Sequence, residues 1–191
     1  YRIPVILVFN KIDAYSDDDL MLLGALTEIY EQVGYTCLHV SSLTGEGMED
    51  VVAALKDKVT VFSGLSGVGK SSLINRVEPG LNLKVAGISD SHDTGKHTTT
   101  FAEMFPLSFG GSIIDTPGIR AFGLIHMEKT EISHYFPEIF KRAEDCRFYN
   151  CTHIHEPGCA VIQAVEDGEI SESRYFSYVN MFEEGDEKYR K

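Results

Sequence analysis

The chain opens on an unbroken apolar run, Val5 to Phe9, the pattern of a strand buried on both faces of a parallel sheet. Ser16-Asp17-Asp18-Asp19 is a helix-start signal with carboxylates in the first turn. Leu20, Leu23, Ala25, Leu26, Ile29, Tyr30 and Val33 then form an apolar stripe at helical spacing, and Gly34 ends it. Thr36 to Val40 reads as a second strand, Glu49 to Lys58 as a second helix and Val59 to Phe62 as a third strand. A Gly-rich loop leads into a third helix, Lys70 to Val77. Residues 80–100 are polar and rich in Gly, Ser, Asp, His and Thr, a loop composition. Phe101–Leu107 and Ser112–Ile114 read as a hairpin joined around Phe109-Gly110-Gly111. Beyond Gly118 no long strand pattern remains, and short helical pieces surround a Cys/His cluster.

Strands alternating with helices predict an α/β fold, a mostly parallel sheet with flanking helices. A small, mainly helical module follows, with the boundary placed near residue 133, so that residues 1–133 and 134–191 form the two parts. With 43% apolar and 24% charged residues among 191, a packed core is expected. A net charge of −12 excludes a polyanion binder that works by bulk positive charge. Neither part is basic: 10 basic and 17 acidic residues precede the boundary, and 7 and 12 follow it. No apolar run has the length of a membrane span and no secretory signal pattern is present, so a cytoplasmic protein without a membrane is expected. The chain begins with Tyr1 rather than Met and enters a strand almost at once, which reads as the middle of a longer polypeptide.

Gly64-Leu65-Ser66-Gly67-Val68-Gly69-Lys70-Ser71 fits the phosphate-loop pattern GxxxxGKS, between a predicted strand and a predicted helix. Its glycines allow backbone N–H groups to wrap phosphates, Lys70 neutralises them, and the helix offers its positive end. The Ser71 hydroxyl is a Mg²⁺ ligand in such loops, and Ser72 follows it. Asn10-Lys11-Ile12-Asp13 at the end of a strand is a guanine-reading pattern. A carboxylate accepts from guanine N1–H and from its amino group, a donor pair that adenine lacks on that edge. Lys11 can lie along the base, Asn10 ties neighbouring loops together, and Ser41-Ser42-Leu43 would bring backbone N–H groups to the guanine oxygen. Asp115-Thr116-Pro117-Gly118 follows a strand, as in GTPases whose Asp holds Mg²⁺ through water and whose Gly N–H meets the γ-phosphate. His97-Thr98-Thr99-Thr100 offers a threonine for Mg²⁺. Thr99 is the choice among the three.

The motif order is unusual. GTPases ordinarily run phosphate loop, switch Thr, DxxG, NKxD and then the Ser-containing base loop. In this chain the base motifs come first and the phosphate motifs follow, a circular permutation. The segment after Asp115–Gly118 therefore runs directly into the Cys/His region, and nucleotide state is expected to be transmitted to that module.

Cys146, Cys151, His153 and Cys159 have the spacing C-x4-C-x-H-x5-C, a closed structural Zn²⁺ set without a catalytic position. His155 is the rival nitrogen ligand. Metal would substitute for a core too small to stand alone. Cys37 reads as a small buried hydrophobe in a strand.

Taken together, these strings resemble the ribosome small-subunit-dependent GTPase A (RsgA, or YjeQ) family, over essentially the whole chain. The resemblance implies GTP and GDP as ligands, and late maturation of the small ribosomal subunit in contact with its rRNA. It also implies hydrolysis accelerated by that subunit, an oligonucleotide-binding barrel ahead of Tyr1, one Zn²⁺, Mg²⁺ with GTP, and a monomer. Family members carry Gly-Arg-His where this chain has Gly95-Lys96-His97, which keeps the charge and loses bidentate phosphate recognition. Ile119 stands where many GTPases place a water-orienting Gln, so intrinsic turnover is expected to be slow and His97 is the candidate catalytic replacement. One alternative is a nucleotide-gated rRNA-binding module in which turnover is incidental. Another, an ATP-using phosphate-loop protein such as a small-molecule kinase, is opposed by Asp13.

Overall fold

In the computed structural model the described residues are 3–83, 103–115 and 128–187. The chain divides into two compact units, Tyr1–Ala121 and Phe122–Lys191.

The first unit contains β1 (Ile6–Asn10), α1 (Asp17–Gln32), β2 (Thr36–Val40), α2 (Met48–Leu55), β3 (Val59–Val61), α3 (Lys70–Val77), β4 (Glu103–Pro106) and β5 (Ser112–Asp115). β1 pairs in parallel with β2, Ile6 opposite Thr36 and Asn10 opposite Val40. β3 pairs in parallel with β5, which pairs antiparallel with β4. Two of these three pairings are parallel, in two ladders among the described residues. The registers matter for function. Asn10 and Val40 end side by side, so the loops that follow β1 and β2 leave the sheet together. Val61 lies opposite Ile114, so the loop after β3 and Asp115, the last residue of β5, lie at neighbouring strand ends.

The core of this unit joins Val40, Met48, Val51, Leu55, Leu73, Ile74, Val77, Leu107 and Ile113. α2 and α3 thus cover β5 and the end of β2. α1 begins with a complete capping box: the Asp19 N–H donates to Ser16 Oγ, and the Ser16 N–H donates to the Asp19 carboxylate. Three sequence expectations need correction. β1 is not buried on both faces: Leu7 and Phe9 are half-buried while Ile6 and Val8 are exposed, because among the described residues β1 is an edge strand paired with β2 alone. In α1, Leu20 and Ala25 are exposed, and the inward stripe is Leu23, Leu26, Ile29, Tyr30 and Val33. α2 ends at Leu55 rather than Lys58, since Lys56 leaves the helical region and Asp57 takes a left-handed backbone with φ 58°. Gly111 closes the β4–β5 hairpin at φ 90°, where a Cβ would press on the carbonyl oxygens of Leu55 and Lys58.

The second unit contains a 3-10 segment, Lys129–Tyr135, then α4 (Pro137–Ala143), α5 (Ala160–Glu166) and α6 (Glu172–Glu187). Its core is Ile132, Phe136, Ile139, Cys159, Val161, Ala164, Ile170 and Tyr178. Ile132 lies in this core, so the boundary read near residue 133 falls within the second unit; the 3-10 segment packs its apolar side against α4 and α6. α4 and α6 are joined by an ion pair with side chains only 11% and 12% exposed. Arg174 Nε donates to Glu138 Oε1 at 2.7 Å and its Nη2 to Oε2 at 3.1 Å, while the guanidinium lies 4.9 Å from the Phe136 ring centre. Removing one partner strands a desolvated charge. Arg174→Met should therefore destabilise the second unit by about 3 kcal/mol, read as a lowered urea midpoint. Adding Glu138→Leu should recover most of the loss. Among the described residues, no helix is long and apolar enough to cross a membrane.

Candidate functional site

The loop after β1 is built to turn sharply. Lys11 takes a left-handed backbone, φ 70°, and Ile12–Ala14 form a single 3-10 turn that carries Asp13. The loop after β2 begins with Ser41, which is fully buried. Its hydroxyl donates to Asp13 Oδ1 and accepts the Thr44 N–H at 3.0 Å. Asp13 therefore keeps one carboxylate oxygen oriented by a buried hydroxyl, while Oδ2 has no hydrogen bond from a described side chain or backbone group. The sequence pattern assigns Ser41 only its backbone N–H. The side-chain link is a tertiary contact that no local pattern announces.

Asn10 uses both ends of its amide. Oδ1 accepts the Ser42 N–H at 3.1 Å, and Nδ2 donates to the Val68 carbonyl at 3.0 Å. Lys11 Nζ donates to the Gly67 carbonyl at 2.7 Å. The loop with the base-reading pattern is thus bonded directly to the phosphate loop. Gly69 sits at φ 92°, and a Cβ there would strike the Asn10 amide nitrogen. Only glycine meets both requirements at that position. Lys70 opens α3, and its Nζ donates to the carbonyls of Gly64 at 2.6 Å and Leu65 at 2.7 Å, which holds the loop curved. Ser71 and Ser72 lie in the first turn of α3. Leu43 and Leu65 are exposed. Asp115 is the last residue of β5. His97, Thr98, Thr99, Thr100 and Gly118 lie outside the described residues.

The second unit holds a separate cluster. The ligand atoms of Cys146, Cys151, His153 and Cys159 all lie within 4.8 Å of one another. Cys146 Sγ is 3.6 Å and Cys159 Sγ 3.5 Å from His153 Nδ1, and the two sulfurs are 3.9 Å apart. A tetrahedral ion with bonds of about 2.3 Å to sulfur and about 2.0 Å to nitrogen would space sulfurs by roughly 3.8 Å and sulfur from nitrogen by roughly 3.5 Å. The three spacings among Cys146, His153 and Cys159 match that geometry, and the group with Cys151 could hold a metal ion. His153 is 2% exposed, whereas His155 is exposed and lies outside the group.

Burial sets the acid–base character of the cluster. It pushes the Cys151 thiol up to about 12, against the opposing His153 N–H, and raises the Cys159 thiol as well. Burial also lowers the basicity of His153, which keeps the imidazole neutral and its lone pair available. Burial pushes the Glu156 carboxyl up, but the Thr152 hydroxyl and N–H outweigh it and hold the group at about 2. Glu156, Tyr175 and Tyr178 surround this cluster and were not singled out in the sequence. Their one sequence signal is the spacing of the two tyrosines, which places both on one face of a helix.

Known proteins resemble this chain in sequence and in fold. A family model described as RsgA GTPase matches residues 1–125. The chain is 57% identical over 191 residues to the small ribosomal subunit biogenesis GTPase RsgA of Bacteroides fragilis, with 100% of this chain and 62% of that protein covered. It is 55% identical over 194 residues to the protein of the same description from Porphyromonas gingivalis, again spanning 62% of its length. The crystal structure of YjeQ from Thermotoga maritima superposes with a TM-score of 0.82 at 42% identity, covering 96% of this chain and 60% of that one. The structure of YloQ, described as a circularly permuted GTPase, gives a TM-score of 0.75 at 35% identity, covering 94% and 56%. The chain thus spans less than two thirds of the length of these curated relatives.

Proposed function

The chain belongs to the RsgA GTPase family and has the fold of a circularly permuted GTPase, and on that premise we propose that it hydrolyses GTP in late maturation of the small ribosomal subunit, which accelerates the reaction. The observation that carries this reading is the pair of bonds from Asn10 and Lys11 to the carbonyls of Val68 and Gly67. They tie the loop after β1 to the glycine loop before α3, which supports one nucleotide meeting both.

In this reading Asp13 accepts both donors of the guanine edge, and Ser41 fixes its carboxylate in plane. Lys11 flanks the base, and the backbone of Ser41, Ser42 and Leu43 faces the guanine oxygen. Lys70 exchanges its bonds to Gly64 and Leu65 for the β- and γ-phosphate oxygens, where charge develops. The N–H groups of Gly64 through Lys70 and the start of α3 line the phosphates. Ser71, Thr99 and Asp115 would hold Mg²⁺, which neutralises phosphate charge when bound. The Gly118 N–H senses the γ-phosphate, and His97 orients the attacking water. Cys146, Cys151, His153 and Cys159 hold a structural Zn²⁺, and the segment after Gly118 carries nucleotide state to that unit.

Phosphate release from GTP, measured with and without purified small ribosomal subunits, tests the proposal. We expect slow release alone and more than about tenfold stimulation by subunits, with His97→Ala losing the stimulation while GDP affinity stays normal. Comparable ATP hydrolysis would overturn the nucleotide assignment. Turnover indifferent to subunits, with binding to them still dependent on GTP, would favour a gated binding module.

A further inference from the structure

His153 is presented to the three thiols from a left-handed backbone, φ 58°, an uncommon conformation for a residue with a side chain. Something must hold it there. Thr152, on its amino side, gives its N–H to Glu156 Oε1 at 2.7 Å and its hydroxyl to the same oxygen at 2.5 Å. Ile154 and His155, on its carboxyl side, give their N–H groups to Glu156 Oε2 at 3.2 and 3.3 Å. One carboxylate therefore pins the chain on both sides of the imidazole. The carbonyls of the same loop are taken from α6: Tyr178 Oη donates to the Thr152 carbonyl at 2.6 Å and Tyr175 Oη to the His153 carbonyl at 2.7 Å.

From this geometry we infer that Glu156, helped by the Tyr175 and Tyr178 hydroxyls, is a positioning residue that shapes the 152–155 loop so that His153 is aimed at the metal site. The inference rests on the zinc reading above. Glu156 is not itself a ligand in this arrangement, because both of its oxygens are already occupied by N–H and O–H donors. Three of the loop's N–H groups bond to Glu156 and two of its carbonyls to α6, so the conformation that presents His153 is held from outside the four ligands. Groups that orient a ligand without touching the metal commonly set its affinity within about a factor of 10–100.

The test uses the whole chain and Co²⁺ as the probe, with affinity read by competition against a chelator and geometry by the visible absorption of the bound ion. Glu156→Ala should bind about 10–100-fold more weakly and with an altered cobalt spectrum. Glu156→Gln keeps one acceptor oxygen and should fall between the two. Tyr175→Phe removes a single hydroxyl without opening a cavity. It should weaken Co²⁺ several-fold at unchanged helicity, and it decides the matter if Glu156→Ala does not fold. Wild-type affinity and spectrum in both Tyr175→Phe and any folded Glu156 variant would overturn the inference. A wild-type chain that takes up no Co²⁺ would remove the zinc reading itself, and the inference with it.

Discussion

Replacing Asp13 by Asn should weaken GTP binding by about a thousandfold while leaving the protein folded. Guanine presents two donors side by side, and a carboxylate answers both. An Asn side chain offers one acceptor and one donor, so one bond is lost and two donors face each other. Charge-assisted hydrogen bonds contribute roughly 1.5–3 kcal/mol each; one is lost, the other loses its charge, and the two facing donors repel, which together corresponds to about two to four orders of magnitude. The structure says why the pocket should survive. Ser41 donates to Asp13 Oδ1, and an Asn oxygen accepts that bond equally well, which leaves the new amide turned toward the base. Xanthine carries an oxygen where guanine has its amino group. The same variant should therefore bind xanthosine triphosphate better than GTP, reversing the preference of the original chain. Displacement of a fluorescent GDP analogue by each triphosphate measures both effects. An unchanged GTP affinity in Asp13→Asn would mean that the loop after β1 does not read the base.

Cys159→Ser should abolish stoichiometric zinc and unfold the second unit. Structural zinc sites of this type carry apparent binding free energies of about 10–16 kcal/mol, comparable to or larger than the whole stability of a domain, about 5–15 kcal/mol. Cys159 is 4% exposed, precedes α5 and contributes to the core of its unit, so the ligand and the packing are lost together. Zinc content and hydrogen exchange at α5 and α6 report the result, and Arg174→Met provides the smaller, metal-independent comparison. Binding should also strengthen as pH rises. Burial keeps the Cys151 and Cys159 thiols protonated in the absence of metal, and ligation requires the thiolates, so the ion competes with protons. Full helicity in a zinc-free chain would show that the cluster is not structural.

The pattern along the chain locates most elements because their ends are written locally. Gly34 stops α1 and Ser41 starts a loop, so β2 is found at Thr36–Val40; Lys70 follows the glycines and opens α3. What the pattern does not contain is which face of an element finds a partner. Val5 to Phe9 is apolar throughout, and only the placement of neighbours decides that Ile6 and Val8 stay exposed. The motifs name the two loops of the proposed nucleotide site but not the bonds between them. Asn10 to Val68 and Ser41 to Asp13 are contacts between loops distant in sequence. In the second unit, the spacing favours His153 with His155 as its rival. The structure brings His153 to the three sulfurs, from a left-handed turn held by Glu156, three residues on, and by two tyrosines a helix away.

The ties from Asn10 and Lys11 reach across 58 and 56 residues of chain. They couple the loop after β1 to the glycine loop before α3, although the order of the chain sets the two far apart. Spent nucleotide should therefore leave in one concerted step rather than peel away from one end, and its departure rate should be equally sensitive to damage at either loop.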